Sequence, residues 1–235
     1  MSTKFRDSVI AGAPRRQIGM TRDSVSGIYL FRGEDPIAFE STLERDFLVR
    51  MEADRTVLSI VSQPVTLEYT DRGRRRRYTP DFMVYRRQLG CSGVAGQYCP
   101  NELIEVKPAD VLARDFPRFK ARFRAAIRWC RLEGHVFRIM HENRIRDVMW
   151  RNTCFLARYR KMDPDPKVTA RIVDTLGAMG ATTFQNTVNQ HFFDYRSRAE
   201  GIAHLWHLVA TGVIDCDLTQ PLSNSTEIWV RDDEW

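Results

Sequence analysis

Two short runs constrain this chain more than anything else in it: Tyr78-Thr79-Pro80-Asp81-Phe82, and Leu103-Ile104-Glu105-Val106-Lys107. Side chains alternate across a strand, so Leu103, Glu105 and Lys107 share one face, while Ile104 and Val106 share the other, which is expected to be the buried one. Asp81 opens a further run, Phe82-Met83-Val84-Tyr85. If the two runs pair, its carboxylate meets that of Glu105.

Two carboxylates and a phosphate oxygen make a hard, all-oxygen site suited to one or two Mg²⁺ ions, with Mn²⁺ as a substitute. Such an ion polarises a phosphodiester, lowers the pKa of a bound water and stabilises charge on the leaving oxygen. Lys107 would hold the attacking water or the negative transition state at close range. An isolated Glu-x-Lys is most often a surface strand ending in a salt bridge. Here the preceding Pro80-Asp81 and the pattern downstream weigh against that.

At 235 residues, 43% hydrophobic and 28% charged, the chain reads as globular, with length for one large domain or two smaller ones. No apolar run approaches the roughly 20 residues of a membrane span. The start, Met1 to Arg6, lacks a signal-peptide apolar region, so a cytoplasmic protein is expected, nucleoid-associated when on DNA. Five scattered cysteines fit reduced thiols, and Cys91 and Cys99 are too far apart, with no second pair, for a zinc knuckle.

The charge is uneven. Residues 1–160 hold 30 Lys+Arg against 19 Asp+Glu, a net +11, whereas residues 161–235 hold 6 against 11, a net −5. The first part suits a polyanion and the second does not. The change coincides with Lys161-Met162-Asp163-Pro164-Asp165-Pro166, whose Asp-Pro steps disfavour helix. A boundary is expected there, giving a flexible basic arm over 1–27, a main domain over 28–161 and a small domain over 162–235.

Along the main domain, Phe39, Leu43, Phe47 and Met51 recur every four residues and predict a helix from about Ser41 to Asp54. Glu44 has two readings: it closes a capping box with Ser41, returning to that residue's amide, or it serves the metal site. Val57 to Tyr69 reads as a strand that bends or ends at Gln63-Pro64. Arg74, Arg75, Arg76 and Arg77 lead into the Asp81 run and are expected to contact backbone phosphates. Leu89 to Pro100 reads as a variable excursion. Phe116, Phe119, Phe123, Ile127 and Cys130 then form an apolar helical stripe beside a basic one of Lys120, Arg124, Arg128 and Arg131. That helix is either a core-packing helix with its charges in water or a DNA-facing one. After Gly134 come a strand, His135 to Met140, and a helix, Ile145 to Tyr159.

This order resembles the restriction-endonuclease-like α/β fold, a central mixed sheet flanked by helices whose motif is written PD-(D/E)xK. The finer resemblance, over about Ile28 to Tyr159, is to the TnsA-type endonuclease subunit of heteromeric, Tn7-like transposases. It rests on Phe39-Glu40-Ser41-Thr42-Leu43-Glu44, Gln63-Pro64, Tyr78 to Phe82 and Glu105-Val106-Lys107. The resemblance implies catalytic roles for Glu44, Asp81, Glu105 and Lys107, the three carboxylates as metal ligands. Gln63 belongs to the pattern as an accessory that either approaches the lysine or caps a bend. It further implies cleavage of double-stranded DNA at the 5′ ends of the transposon, with a separate DDE transposase subunit acting at the 3′ ends. A free-standing restriction or repair nuclease, and an inactive DNA-binding adaptor, are the alternatives. Asp81, Glu105 and Lys107 standing together speak against the last.

In the tail, Val168, Ile172, Leu176 and Met179 form a helix stripe ending near Gly180. Thr182 to Gln185 and Ser197-Arg198-Ala199-Glu200 read as capping boxes, the latter opening a helix that Gly212 stops. Val213-Ile214 and Ile228 to Val230 flank a turn with Pro221 and Asn224. Three helices and a hairpin suggest a winged-helix-like domain. Its third helix offers only Arg198 at its start, so a protein partner is expected rather than DNA. The resemblance implies that this partner is an AAA+ ATPase regulator.

Overall fold

The computed structural model describes residues 25–87 and 99–231. The basic arm, up to residue 24, and most of the Leu89 to Pro100 excursion lie outside them. The chain divides into two compact units, Met1–Arg146 and Asp147–Trp235.

In the first unit, β1 (Gly27–Phe31) and β2 (Asp35–Phe39) form an antiparallel hairpin, followed by α1 (Thr42–Glu52) and β3 (Val57–Ser62). A second hairpin, β4 (Leu67–Asp71) and β5 (Arg74–Tyr78), precedes β6 (Phe82–Arg86) and β7 (Glu102–Val106). The long α2 (Ala109–Glu133), β8 (Val136–Met140) and the short α3 (Glu142–Ile145) complete it. The central sheet has the order β3-β6-β7-β8. Its first two pairings are antiparallel and the last is parallel, which makes it mixed.

The four-residue apolar repeat of α1 buries Leu43, Phe47 and Met51 against Phe82, Val84, Ile104 and Val106 on one face of the sheet. Phe47 and Phe82 stack at 5.3 Å. On the other face Met83 and Leu103 pack with Leu67, Tyr78, Phe123, Ala126 and Cys130. Every residue of β7 is therefore buried, and the expectation of one open face is corrected: α2 covers the Leu103 and Glu105 side. The apolar stripe of α2 also shifts. Ile127 is 38% and Phe116 48% exposed, because positions four apart drift around a 3.6-residue helix, and the buried line runs through Phe123, Ala126 and Cys130. Gly134 ends the helix in the left-handed region at φ 73°. The β4–β5 turn places Arg72 and Gly73 both at positive φ, the requirement of a two-residue hairpin turn.

The second unit begins with α4 (Val148–Leu156), capped by the Asp147 carboxylate on the Trp150 amide, and one turn of 3₁₀ helix, Ala157–Tyr159. It continues with α5 (Pro166–Met179), β9 (Ala181–Thr183), α6 (Phe184–His191), α7 (Tyr195–Thr211), β10 (Ile214–Cys216) and β11 (Glu227–Val230). The strands form an antiparallel sheet in the order β10-β11-β9. The single helix read over Ile145 to Tyr159 is thus two pieces broken at Arg146 and Asp147. Leu156, with Phe155 and Tyr159 against it, joins the core of Ile172, Leu176, Phe184 and Trp206. The units accordingly divide before α4, not at the Asp-Pro steps; Asp165-Pro166 instead caps and opens α5. The cap of α7 is Asp194, with Ser197 as its reciprocal partner rather than the cap itself. Among the described residues no helix is long and apolar enough to cross a membrane. Cys130, Cys154 and Cys216 are reduced, but Cys99 is disulfide-bonded, which corrects the expectation of reduced cysteines throughout; a spread of cysteines along a sequence does not reveal which thiols meet.

Gly201 lies inside α7 because the ring of Phe192 occupies the place of a side chain: a Cβ there would stand 2.3 Å from Phe192 Cδ2. Gly201→Ala gains helix propensity yet overpacks this contact, and is expected to destabilise the second unit by about 1–3 kcal/mol net. Thermal unfolding checks it; an unchanged or raised midpoint refutes the close-packing role.

Candidate active site

Strand pairing builds the site. Phe82 stands opposite Ile104, which sets Asp81 beside Glu105 at the same end of the sheet. The Asp81 amide donates to the Ile104 carbonyl at 3.0 Å, and Asp81 Oδ2 accepts from the Val106 amide at 2.6 Å. Lys107, just past β7, is fixed by its amide on the Met140 carbonyl. Its ammonium lies 3.3 Å from Glu105 Oε1 and 3.9 Å from Asp81 Oδ2.

Glu105 is 2% exposed and held on both oxygens. Tyr78 donates its hydroxyl to Oε2 at 2.7 Å, and Arg122 of α2 donates to Oε1 at 3.2 Å. The Arg122 guanidinium lies over the rings of Phe119, Phe123 and Tyr78, 4.2 to 5.3 Å from their centroids. Its Nε is buried with no hydrogen-bond partner among the described residues.

A second string of groups comes from the start of α1. Ser41 caps the helix by accepting from the Glu44 amide. The Glu44 carboxylate turns back, as a capping-box residue does, but onto the Glu40 amide at 2.7 Å and the Ser41 hydroxyl at 3.0 Å, not the Ser41 amide. Gln63 donates its side chain to Glu40 at 2.9 Å and its amide to the Asp81 carbonyl at 2.8 Å. It does so at φ 49°, a left-handed conformation that costs a non-glycine residue about 1–3 kcal/mol. Of the two sequence readings of Gln63, the structure has the bend: the residue shapes the chain after β3, and its side chain reaches Glu40 rather than the lysine.

Crowded carboxylates set the electrostatics. Burial, then the charges of Glu105 and Glu44, push the Asp81 carboxyl well above the ordinary carboxylate range against the opposing pull of Lys107. Burial raises Glu44 as well. For Lys107 burial disfavours the charge, but Asp81 and Glu105 outweigh it and hold the ammonium above its usual range. Lys107 is consequently a fixed cation at neutral pH.

Hard oxygen donors in mutual repulsion are the chemistry that a divalent cation relieves, so Asp81 and Glu105, with Glu44 within electrostatic reach, fit such an ion as donors. Among the described residues no three His, Cys, Asp or Glu side chains are grouped closely enough to hold one ion together. The arrangement offers a carboxylate pair bridged by an ammonium.

Of the sequence-derived residues, the structure gathers Glu44, Gln63, Asp81, Glu105 and Lys107. Arg74 to Arg77 are exposed along β5, with Arg77 paired to Glu68. Lys120, Arg124 and Arg128 are also exposed; at about 100° per residue Lys120 and Arg124 stand about 160° round α2 from Arg122, on the opposite side from Glu105, and Arg128 about 120° round. Sequence reasoning missed Glu40, Tyr78 and Arg122 as site groups. The signal for Arg122 was an arginine between Phe119 and Phe123, on the flank of an apolar stripe.

Two family models match the chain, one after the other. One described as TnsA-like endonuclease N terminal covers residues 54–142, and one described as TnsA endonuclease C terminal covers residues 144–218. Asp81, Glu105 and Lys107 fall inside the first, and together the two span most of the chain. A comparison with curated proteins found no match.

Proposed function

The chain belongs to the TnsA endonuclease family, its first unit having the restriction-endonuclease-like fold, and on that premise we propose that it hydrolyses a phosphodiester at each 5′ end of a transposon. What supports this reading is one juxtaposition: Asp81 beside Glu105, with Lys107 3.9 and 3.3 Å from their respective carboxylates.

Asp81 and Glu105 would hold a divalent cation, Mg²⁺ or Mn²⁺, with the Glu44 carboxylate within electrostatic reach of Asp81. Such an ion supplies Lewis acidity and a more acidic bound water. The chain's own groups do the rest. Tyr78 and Arg122 fix the rotamer of Glu105, and the Val106 amide fixes that of Asp81. Lys107, kept protonated, donates to the oxygens on which charge grows as water adds to phosphorus and the bond to the leaving oxygen breaks.

The partners follow from the same reading: double-stranded DNA at the transposon ends, a DDE transposase subunit for the other strand, and an AAA+ ATPase regulator docked on the acidic second unit. The order α5, β9, α6, α7, β10, β11 suits a winged-helix-like module, whose connection between β10 and β11 is the wing. The test is a cleavage assay on a plasmid carrying both ends, with the transposase present and the cut strands mapped. Mg²⁺-dependent nicks at the 5′ ends that vanish with chelator are expected. Cutting that survives chelation, or that maps to the 3′ ends, sinks the proposal.

A further inference from the structure

The position of α2 assigns a second task to it. Residue Ala109 follows directly on Lys107-Pro108 at the catalytic end of the sheet, yet it is Arg122, thirteen residues on, that touches Glu105. At 1.5 Å per residue the intervening turns cover about 20 Å, so the first half of α2 overhangs the catalytic end of the sheet instead of lying on it. The β4–β5 hairpin packs against this helix through Leu67, Tyr69 and Tyr78, with Phe119 and Phe123. The hairpin is not part of the central sheet, so hairpin and helix together form a wall above Asp81, Glu105 and Lys107.

One row of side chains on that wall leads to the reacting groups. Arg114, Arg118 and Arg122 are spaced four apart on one flank of the helix, each about 6 Å further along the axis and about 40° further round it. Arg122, at the inner end, reaches Glu105. Arg114 and Arg118 are 67% and 82% exposed, and both pair with Asp115, at 3.0 and 3.5 Å. Two guanidinium groups sharing one carboxylate leave the row net positive. Lys120 and Arg124 look the other way, about 160° round from Arg122.

We infer that Arg114 and Arg118 grip backbone phosphates of the strand being cut and lead it to the Asp81, Glu105 and Lys107 cluster, whereas Lys120 and Arg124 do not face it. This rests on the endonuclease reading above. A duplex held along the row passes over the carboxylates at the distance of an arginine side chain; a duplex held by the opposite stripe has the helix between itself and the site.

The experiment measures binding of the full chain to a fluorescent 30-base-pair duplex in chelator, over a salt series. Arg114→Gln/Arg118→Gln is compared with Lys120→Gln/Arg124→Gln, every position being exposed so that folding is preserved, as a thermal melt verifies. The first variant is expected to lose about tenfold in affinity at low salt and to flatten the log-log salt slope by roughly two, since each phosphate contact contributes about 0.9. The second removes the same charge and is expected to lose less than threefold. An equal or larger loss in the second variant, or an unchanged slope in the first, overturns the assignment while leaving the endonuclease reading standing if the wild type still binds and cleaves. Wild type that neither binds at low salt nor cleaves with its partner overturns both.

Discussion

Asp81→Asn and Lys107→Gln are each expected to lower the rate of 5′-end cleavage about a thousandfold or more, and the double substitution little further. The carboxamide removes one of the two charges able to hold a divalent cation, and the lysine change removes the fixed positive charge at the reacting phosphate; such interactions are worth about 3–4 kcal/mol or more in the transition state. Groups that act as one unit lose their effect together, which is why the losses do not add. The same pair should part company in stability. Asp81 is held above the usual carboxylate range by burial, Glu105 and Glu44, so the neutral carboxamide relieves repulsion and still accepts from the Val106 amide. Lys107→Gln instead strips the countercharge from Asp81 and Glu105. Thermal melts are therefore expected to rise or hold for the first and to fall for the second. Cleavage within tenfold of wild type in Asp81→Asn, assayed with transposase and end DNA, would dismiss this cluster as the catalytic centre.

The sheet end was legible in sequence because alternation is local: Asp81 and Glu105 needed only two strands and an antiparallel pairing to meet. So was α1, whose four-residue repeat leaves one face to bury. What sequence periodicity cannot say is against which core a stripe is buried. Leu156 and Tyr159 read as part of one helix over Ile145 to Tyr159, and with Phe155 they close the second unit's core, so the division falls at Arg146 and Asp147 and not at the proline-rich steps. For the same reason α2 looked like a helix with a wet basic face, while the arginine that matters to Glu105 sits where the apolar stripe ends. An arginine buys access to that flank by laying its guanidinium on aromatic rings, and no local pattern distinguishes this from a solvated arginine. Tyr78 was equally hidden: its role depends on a hydroxyl meeting a carboxylate 27 residues away.

Arg86→Met is expected to lower the thermal midpoint of the first unit by roughly 10–20 °C, the effect of about 3–5 kcal/mol in a domain of this size. Arg86 ends β6 at the far end of the sheet from Asp81, and its guanidinium bonds Asp54 at 2.8 Å and Glu102 at 2.7 Å, with Thr56 as a further acceptor. Glu102 begins β7, so this ion pair clamps the two catalytic strands at one end while Asp81 and Glu105 meet at the other. Arg86 is 14% exposed and Glu102 10%. For Asp54, burial disfavours the charge, but Arg86 and the Thr56 hydroxyl outweigh it and keep the carboxyl below its ordinary value. Removing the arginine leaves two part-buried carboxylates without their shared cation, and Arg138, 51% exposed at Glu102, reaches only one of them. If the cost is the stranded charge and not the lost packing, adding Glu102→Gln to Arg86→Met should recover a substantial part of the midpoint. A one-residue slip between β6 and β7 would turn Asp81 away from Glu105, so the clamp also protects the register on which the site depends. A melt within two or three degrees of wild type for Arg86→Met would remove the clamp from the account, and recovery absent from the double variant would assign the loss to packing.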